Sequence, residues 1–307
     1  MNESRFGAGA DVHGILLLDK PLGLTSAAAV AKLKRLFGAR KTGHTGSLDP
    51  LATGFLAICF GEATKFGSHL LDADKTYRVT VRLGERTPSA DLETEVCERQ
   101  PVPALTEGEV RGALSDFPTE YDQMPPMHSA LKQGGKPLYS YARAGITLER
   151  MPRRVSIYGM QLLDWKSPDI CFDVHCSKGT YIRVLAEDIA VRLGTLGHLT
   201  GLRRLTVAPF QERGMVTLES LESMTSAERL EHLLPVDESL RGVPRLDLDA
   251  AQAADLRLGR NVDVRADSLP NVRIYGPEAQ FLGLGEVQGA GRLVPRRLIS
   301  ALVANRA

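Results

Sequence analysis

Three glycines and one proline fall within twelve residues, Gly43-His44-Thr45-Gly46-Ser47-Leu48-Asp49-Pro50-Leu51-Ala52-Thr53-Gly54, and they narrow the path the chain can take there. Glycines open backbone conformations closed to other residues, and Pro50 drives Asp49 toward an extended conformation. The loop therefore presents one carboxylate among apolar and small neighbours, with no second acid in the stretch. Asp-Pro is also common turn chemistry. The residues alone thus allow two readings: an Asx turn ahead of a buried strand, or a functional carboxylate in a glycine-rich loop.

The flanking segments carry clear periods. From about Ser26 to Phe37, Val30, Leu33 and Phe37 recur on one helical face, with Ser26 as the N-cap. Tyr77, Val79, Val81 and Leu83 alternate with Thr76, Arg78, Thr80 and Arg82, which predicts a half-buried strand with Tyr77 facing inward. Ile170, Phe172, Val174 and Cys176 alternate in the same way. That strand feeds Lys178-Gly179-Thr180 into a helix bearing Ile182, Leu185, Ile189 and Leu193, which puts Tyr181 and Arg183 in its first turn. Thr106-x-x-Glu109 is a capping box for another helix. Between Tyr121 and Arg154 the period disappears and Pro125, Pro126, Gly134, Gly135, Pro137 and Gly145 gather, the mark of a long functional loop. Beyond Pro235-Val236-Asp237 comes a break. A helix from about Asp249 to Leu258, ended by Gly259, then precedes short apolar pieces divided by Gly276, Gly283, Gly285, Gly289 and Gly291, the pattern of a small, mostly β domain.

At 307 residues the chain exceeds the size at which one core usually stops growing, so two unequal domains are expected. It has no run of about eighteen apolar residues and no charged N-terminal stretch leading into an apolar one, so a soluble cytoplasmic protein is expected. Cys59, Cys97, Cys171 and Cys176 show neither Cys-x-x-Cys pairing nor clustering with histidines, which favours reduced thiols over disulfides or zinc. The net charge of +1 hides strong local contrasts. Lys32, Lys34, Arg35, Arg40 and Lys41 stand without an acid between Val30 and Thr45. Lys132, Lys136, Arg143, Arg150, Arg153 and Arg154 face only Glu149 between Met127 and Val155, and Arg292, Arg296, Arg297 and Arg306 form a third basic run. Glu85 to Asp122 instead holds ten acids against Arg86, Arg99 and Arg111, a face suited to point away from phosphates. One basic run is ordinary solvated surface; three together favour RNA.

The motifs taken as a set resemble the TruB family of tRNA pseudouridine synthases. Besides the stretch from Gly43 to Gly54 they comprise Gly14-Ile15-Leu16-Leu17-Leu18-Asp19-Lys20-Pro21, Gly61-Glu62-Ala63-Thr64-Lys65, Asp74-Lys75-Thr76-Tyr77-Arg78-Val79, Ser177-Lys178-Gly179-Thr180-Tyr181-Ile182-Arg183, Leu202-Arg203-Arg204, Phe281-Leu282-Gly283-Leu284-Gly285-Glu286 and Arg292-Leu293-Val294-Pro295-Arg296-Arg297-Leu298, in family order. Two local departures stand out: His128 where a tyrosine is more usual, and Glu93-Thr94 in place of an acidic-Gly pair after Asp91.

The resemblance implies an α+β fold, a mixed and largely antiparallel catalytic sheet flanked by helices and loops. It implies a catalytic domain over residues 1–244, an RNA-gripping thumb insertion at about 121–154, and a PUA-like RNA-binding domain over 245–307. The implied reaction is isomerisation of uridine to pseudouridine in the T loop of tRNA, at position 55, without cofactor or metal, by a monomer that needs no protein partner. By resemblance Asp49 is the nucleophile, Tyr77 the wall for a flipped base and a candidate in proton transfer, and Arg183 the cation that keeps Asp49 ionised. Tyr181 and Leu202 then line the site, His44 wedges into the vacated RNA loop, and Lys132, Lys136 and Arg143 meet the RNA backbone. Lys20 does structural work in its turn. An RNA-binding folding factor would keep this scaffold without needing Asp49. A phosphate-handling enzyme is disfavoured, since no Gly-x-x-x-x-Gly-Lys-Ser/Thr or Gly-x-Gly-x-x-Gly follows a strand and opens a helix.

Overall fold

A computed structural model describes residues 10–211 and 213–300, so Arg306 of the third basic run lies outside the described residues. The chain forms two compact units that do not follow chain order. The first gathers the residues up to Leu48, Leu56–Asp72 and those from Pro209 onward; the second takes Asp49–Phe55 and Ala73–Ala208.

In the first unit, strand Gly14–Lys20 runs parallel to Val216–Thr217, and Thr42–Thr45 pairs antiparallel with residues 57–60 of strand Ala52–Phe60. Helix Ser26–Leu36 buries Ala29 and Leu33, and Phe37 just beyond it packs on Phe60 at 4.8 Å between ring centroids. Its cap is Thr25, whose hydroxyl accepts from the Ala28 N–H at 3.0 Å, and not Ser26 as the sequence suggests. Ser26 is turned inward. Its Oγ accepts from the Leu48 N–H at 2.8 Å and donates to the Leu48 carbonyl at 3.1 Å, which pins the residue just before Asp49. Lys20, fully buried, donates to the Pro21 and Leu24 carbonyls and so closes its turn.

The same unit holds a five-stranded sheet in the order Arg245–Asp247, Leu269–Tyr275, Phe281–Gln288, Arg292–Leu298, Val262–Asp263. Helix Ala250–Arg257 covers it, started by a reciprocal capping box between Asp249 and Gln252. Leu256, Val272, Ile274, Val287 and Leu293 form an apolar core of its own. The small, mostly β pattern at the end of the sequence therefore folds as a sheet with a private core. Its last described residue is tied back to Gly61–Lys65: the Ser300 N–H and hydroxyl both donate to the Glu62 carboxylate, and Lys65 donates to the Leu298 carbonyl. Burial alone would raise the Glu62 carboxyl, but the bonds from Lys65 and Ser300 overcome it and hold the group below the usual range.

In the second unit the start of strand Ala52–Phe60, residues 52–55, is followed in order by Gly197–Val207, Lys75–Leu83, Asp169–Cys176, Arg153–Lys166 and Glu120–Gln123. Neighbours are antiparallel except Gly197–Val207 and Ala52–Phe60, so the sheet is mixed and largely antiparallel, as expected. Lys75, Tyr77, Val79, Val81 and Leu83 are buried and their neighbours are not, the predicted alternation. Helix Ile182–Arg192 buries Ile182, Leu185 and Ile189, and the Thr106 and Glu109 capping box opens helix Glu107–Ser115. The aperiodic 121–154 stretch is less irregular than its sequence. It begins in strand Glu120–Gln123, forms a hairpin of Lys132–Gln133 with Lys136–Pro137, adds helix Leu138–Arg143, and returns in strand Arg153–Lys166. Pieces of two to six residues are too short to show a period. Among the described residues, no helix is long and apolar enough to cross a membrane.

Candidate active site

A concave pocket in the second unit is lined by Asp49, Leu51, Ala52, Asp91, Leu92, Arg183, Leu199, Thr200, Gly201 and Leu202. Its floor follows from strand register, since Leu202 stands opposite Ala52 on one side and Val79 on the other. Gly54, with φ of +96°, is needed two residues along: a Cβ there would come within 2.2 Å of the Arg204 carbonyl oxygen. The close approach of these strands thus sets the depth of the pocket beside Asp49.

Asp49 opens a turn closed by the Ala52 N–H donating to its carbonyl at 3.0 Å. Its side chain is 42% exposed, while the Arg183 side chain facing it is only 7% exposed. Arg183 Nε lies 3.2 Å from Asp49 Oδ2 and 3.8 Å from Asp91 Oδ2. The other two nitrogens are engaged as well: Nη1 donates to the Ser89 carbonyl at 3.2 Å and Nη2 to the His128 carbonyl at 2.6 Å. A planar group held at each nitrogen has little rotational freedom, so Arg183 presents Nε to Asp49 in a fixed direction.

Asp91, the second carboxylate on Arg183, carries no mark in the sequence, being one of ten acids in its segment. It is delivered by a tight loop in which Thr87 donates to the Asp91 carbonyl at 2.7 Å and Ala90 takes a φ of +59°, a conformation that costs a non-glycine residue roughly 1 kcal/mol or more. His128, where a tyrosine is more usual, contributes its backbone carbonyl to Arg183, a bond indifferent to the side chain at that position.

Tyr77 faces inward as predicted and is buried, but it does not line the pocket; it lies at the strand register of Arg204 and Val174. Burial raises its hydroxyl, the Arg204 guanidinium to which it is hydrogen-bonded opposes that rise, and the Asp49 charge adds to it. Arg204, only 2% exposed, also donates from Nε to the Phe55 carbonyl at 2.7 Å. Tyr181 stands at the N-cap of its helix, one residue earlier than expected, half-buried, with its hydroxyl raised chiefly by burial. His44 lies in the first unit, half-buried in strand Thr42–Thr45 opposite Ile58. Lys132 and Lys136 are exposed on the hairpin of the 121–154 stretch. Arg143 ends helix Leu138–Arg143 over the Tyr139 ring, 3.7 Å from Glu93. The pocket therefore unites Asp49, Arg183 and Leu202 directly, while Tyr77, Lys132, Lys136 and Arg143 stand outside its lining.

Three family models account for most of the chain: TruB family pseudouridylate synthase (N terminal domain) over residues 34–182, tRNA pseudouridylate synthase B C-terminal domain over 183–241, and pseudouridine synthase II TruB, C-terminal, over 244–299. The chain is 48% identical over 301 residues to the tRNA pseudouridine synthase B of Sodalis glossinidius, covering 95% of this chain and 96% of that protein. It is 50% identical over 304 residues to the protein of that name from Ralstonia pickettii, covering 94% and 95%. Among solved structures, the fold is similar to that in a crystal structure of a Cbf5-Nop10-Gar1 complex, with a TM-score of 0.70 at 22% identity over 95% of this chain and 85% of that one. An archaeal box H/ACA sRNP Nop10-Cbf5 complex gives 0.67 at 21% identity over 96% and 88%.

Proposed function

We propose that in this chain, which belongs to the TruB family of pseudouridylate synthases and isomerises uridine to pseudouridine in tRNA, Asp49 is the nucleophile and the target uridine lies in the T loop, at position 55. One observation carries this reading: a partly exposed carboxylate at the mouth of an apolar-floored pocket, paired at 3.2 Å with a buried arginine. In the reaction the bond from N1 to the sugar C1′ breaks, the base turns, and C5 bonds to the same carbon, while the proton on C5 is lost and N1 gains one. A base inside a folded RNA loop cannot reach Asp49, so it is extruded into the pocket, where Leu202 supplies an apolar surface. Arg183 keeps Asp49 charged and aimed. The Tyr77 hydroxyl handles the proton, Tyr181 shapes the entrance, and His44 fills the space the base leaves in the RNA. The thumb cations grip the RNA stem-loop, a PUA-like module over 245–307 makes an outer contact with RNA beyond it, and the protein works as a cytoplasmic monomer without a cofactor.

Incubation of the purified protein with an unmodified tRNA transcript, followed by mapping of pseudouridine, tests the site and the position together. Asp49→Asn, nearly isosteric but not a carboxylate, is expected to abolish product while tRNA affinity stays within a few-fold. Turnover near the wild-type rate in that variant removes Asp49 from its role.

A further inference from the structure

Helix Ile182–Arg192 starts without a side-chain cap of its own, since no hydrogen bond from the Tyr181 side chain caps it. Its start is held by Gln123 instead, a residue only 2% exposed and 58 positions away. The Tyr181 N–H donates to Gln123 Oε1 at 2.7 Å, and Gln123 Nε2 donates to the Tyr181 carbonyl at 3.1 Å. Both backbone groups of the N-cap residue are therefore gripped by one side-chain amide, and that carbonyl also takes the first helical bond, from the Leu185 N–H at 3.0 Å.

The amide has its orientation set from behind. Gln123 Nε2 also donates to the Tyr121 hydroxyl oxygen at 2.6 Å, and the Tyr121 hydroxyl is hydrogen-bonded to Asp188, a residue of the same helix. A phenol has one proton. With that proton given to Asp188, the oxygen can only accept from Gln123, which turns Nε2 toward it and leaves Oε1 for the Tyr181 N–H. Burial raises the Tyr121 hydroxyl and the Asp188 charge raises it further, so the proton stays in place at neutral pH. Phe117 meets the Tyr121 ring edge-on at 5.2 Å and keeps it from swinging.

The chain Asp188, Tyr121, Gln123, Tyr181 thus fastens the helix at its N-cap and again in its second turn, with Arg183 between the two anchors. We propose that Gln123, oriented by Tyr121 and Asp188, is a positioning residue for Arg183, fixing the helix start so that one guanidinium meets Asp49, Ser89 and His128 at once. This rests on the proposed roles of Asp49 as nucleophile and Arg183 as its partner. A misplacement of about 1 Å at a group aligned by several bonds is enough to cost on the order of 100-fold in rate.

Single-turnover conversion of an unmodified tRNA transcript, with tRNA affinity measured alongside, tests this in wild type, Gln123→Met, Arg183→Lys and the double variant. Gln123→Met is expected to slow conversion roughly 10- to 100-fold with tRNA affinity within about threefold. In the Arg183→Lys background the same substitution is expected to cost less than about threefold, because the fork it positions is gone. Equal fold-losses in the two backgrounds overturn the proposal, as does a loss confined to tRNA affinity or a Gln123→Met protein as fast as wild type. If Gln123→Met does not fold, Tyr121→Phe takes its place: it keeps Gln123 but frees the amide to turn, and the same non-additive pattern at roughly 3- to 10-fold is expected. A folded Tyr121→Phe protein at the wild-type rate then overturns the proposal. Wild-type protein that forms no pseudouridine would strike at the proposed roles of Asp49 and Arg183 instead.

Discussion

Arg183 is one cation shared between two carboxylates, Asp49 at 3.2 Å and Asp91 at 3.8 Å, and its buried side chain faces a more exposed Asp49. Among the residues that line the pocket it is the one cation, so it is the group in that wall that can offset the charge of Asp49. Tyr77 complements it. Its hydroxyl is raised by burial against the pull of Arg204, so the phenol keeps its proton at neutral pH, the form that the proposed proton-handling role needs. Tyr77→Phe keeps the buried ring and removes only the hydroxyl; single-turnover conversion is expected to fall by roughly 100-fold or more, the usual worth of positioned proton transfer, with tRNA affinity unchanged. A loss below about threefold would reduce Tyr77 to packing. Asp49, Arg183 and Leu202 were legible because each sits in a motif. Asp91 and the Ser89 and His128 carbonyls were not, since pairings between distant segments leave no period, and a carbonyl has no residue identity to read. Arg204 stood in a motif, but its bond to a buried tyrosine follows from strand register alone.

Among the elements, the 121–154 stretch, the proposed thumb, carries charge in its shortest pieces: Lys132 and Lys136 on a two-plus-two-residue hairpin and Arg143 at the end of a six-residue helix. All three are exposed, and the Arg143 pair with Glu93 is an exposed ion pair of the kind that water and salt screen readily. A phosphate can therefore displace Glu93 at little cost. Neutralising the three together is expected to weaken tRNA binding and flatten its dependence on salt. The slope of log affinity against log salt should change by about 0.7 to 0.9 for each phosphate that the thumb no longer neutralises. An unchanged slope would mean that the thumb does not touch the RNA backbone. Periodicity found the long elements, Lys75–Leu83, Asp169–Cys176 and Ile182–Arg192, because one face of each is buried. It misassigned the cap of Ser26–Leu36, where two hydroxyls in succession compete and tertiary packing against Leu48 decides which one turns inward. It passed over the hairpin of Lys132–Gln133 with Lys136–Pro137, whose strands bury almost nothing.

For the molecule as a whole, burial pushes the thiols of Cys59 and Cys176 from 9.0 up to about 12, one in each compact unit. The folded chain then holds two protons that the unfolded chain releases above pH 9, so the free energy of unfolding falls as pH rises from about 9 toward 12 and is level below that range as far as these groups are concerned. The melting temperature is expected to drop across that window, and Cys59→Ala with Cys176→Ala to flatten the drop; an equally steep fall in the double variant would assign it elsewhere. Three basic runs pointed correctly toward RNA, but the interleaving of the two units could not be read from a chain followed in order, because it is set by which strands pair. The grip of Ser26 on Leu48 has a last consequence, in time. That bond spans only 22 positions, so it can form soon after Leu48 leaves the ribosome. Arg183 follows about 130 residues later, roughly 7 to 26 s of synthesis at about 5 to 20 residues per second. For that interval the nascent chain holds the Asp49 turn without the Arg183 side chain that stands 3.2 Å from Asp49 in the folded protein.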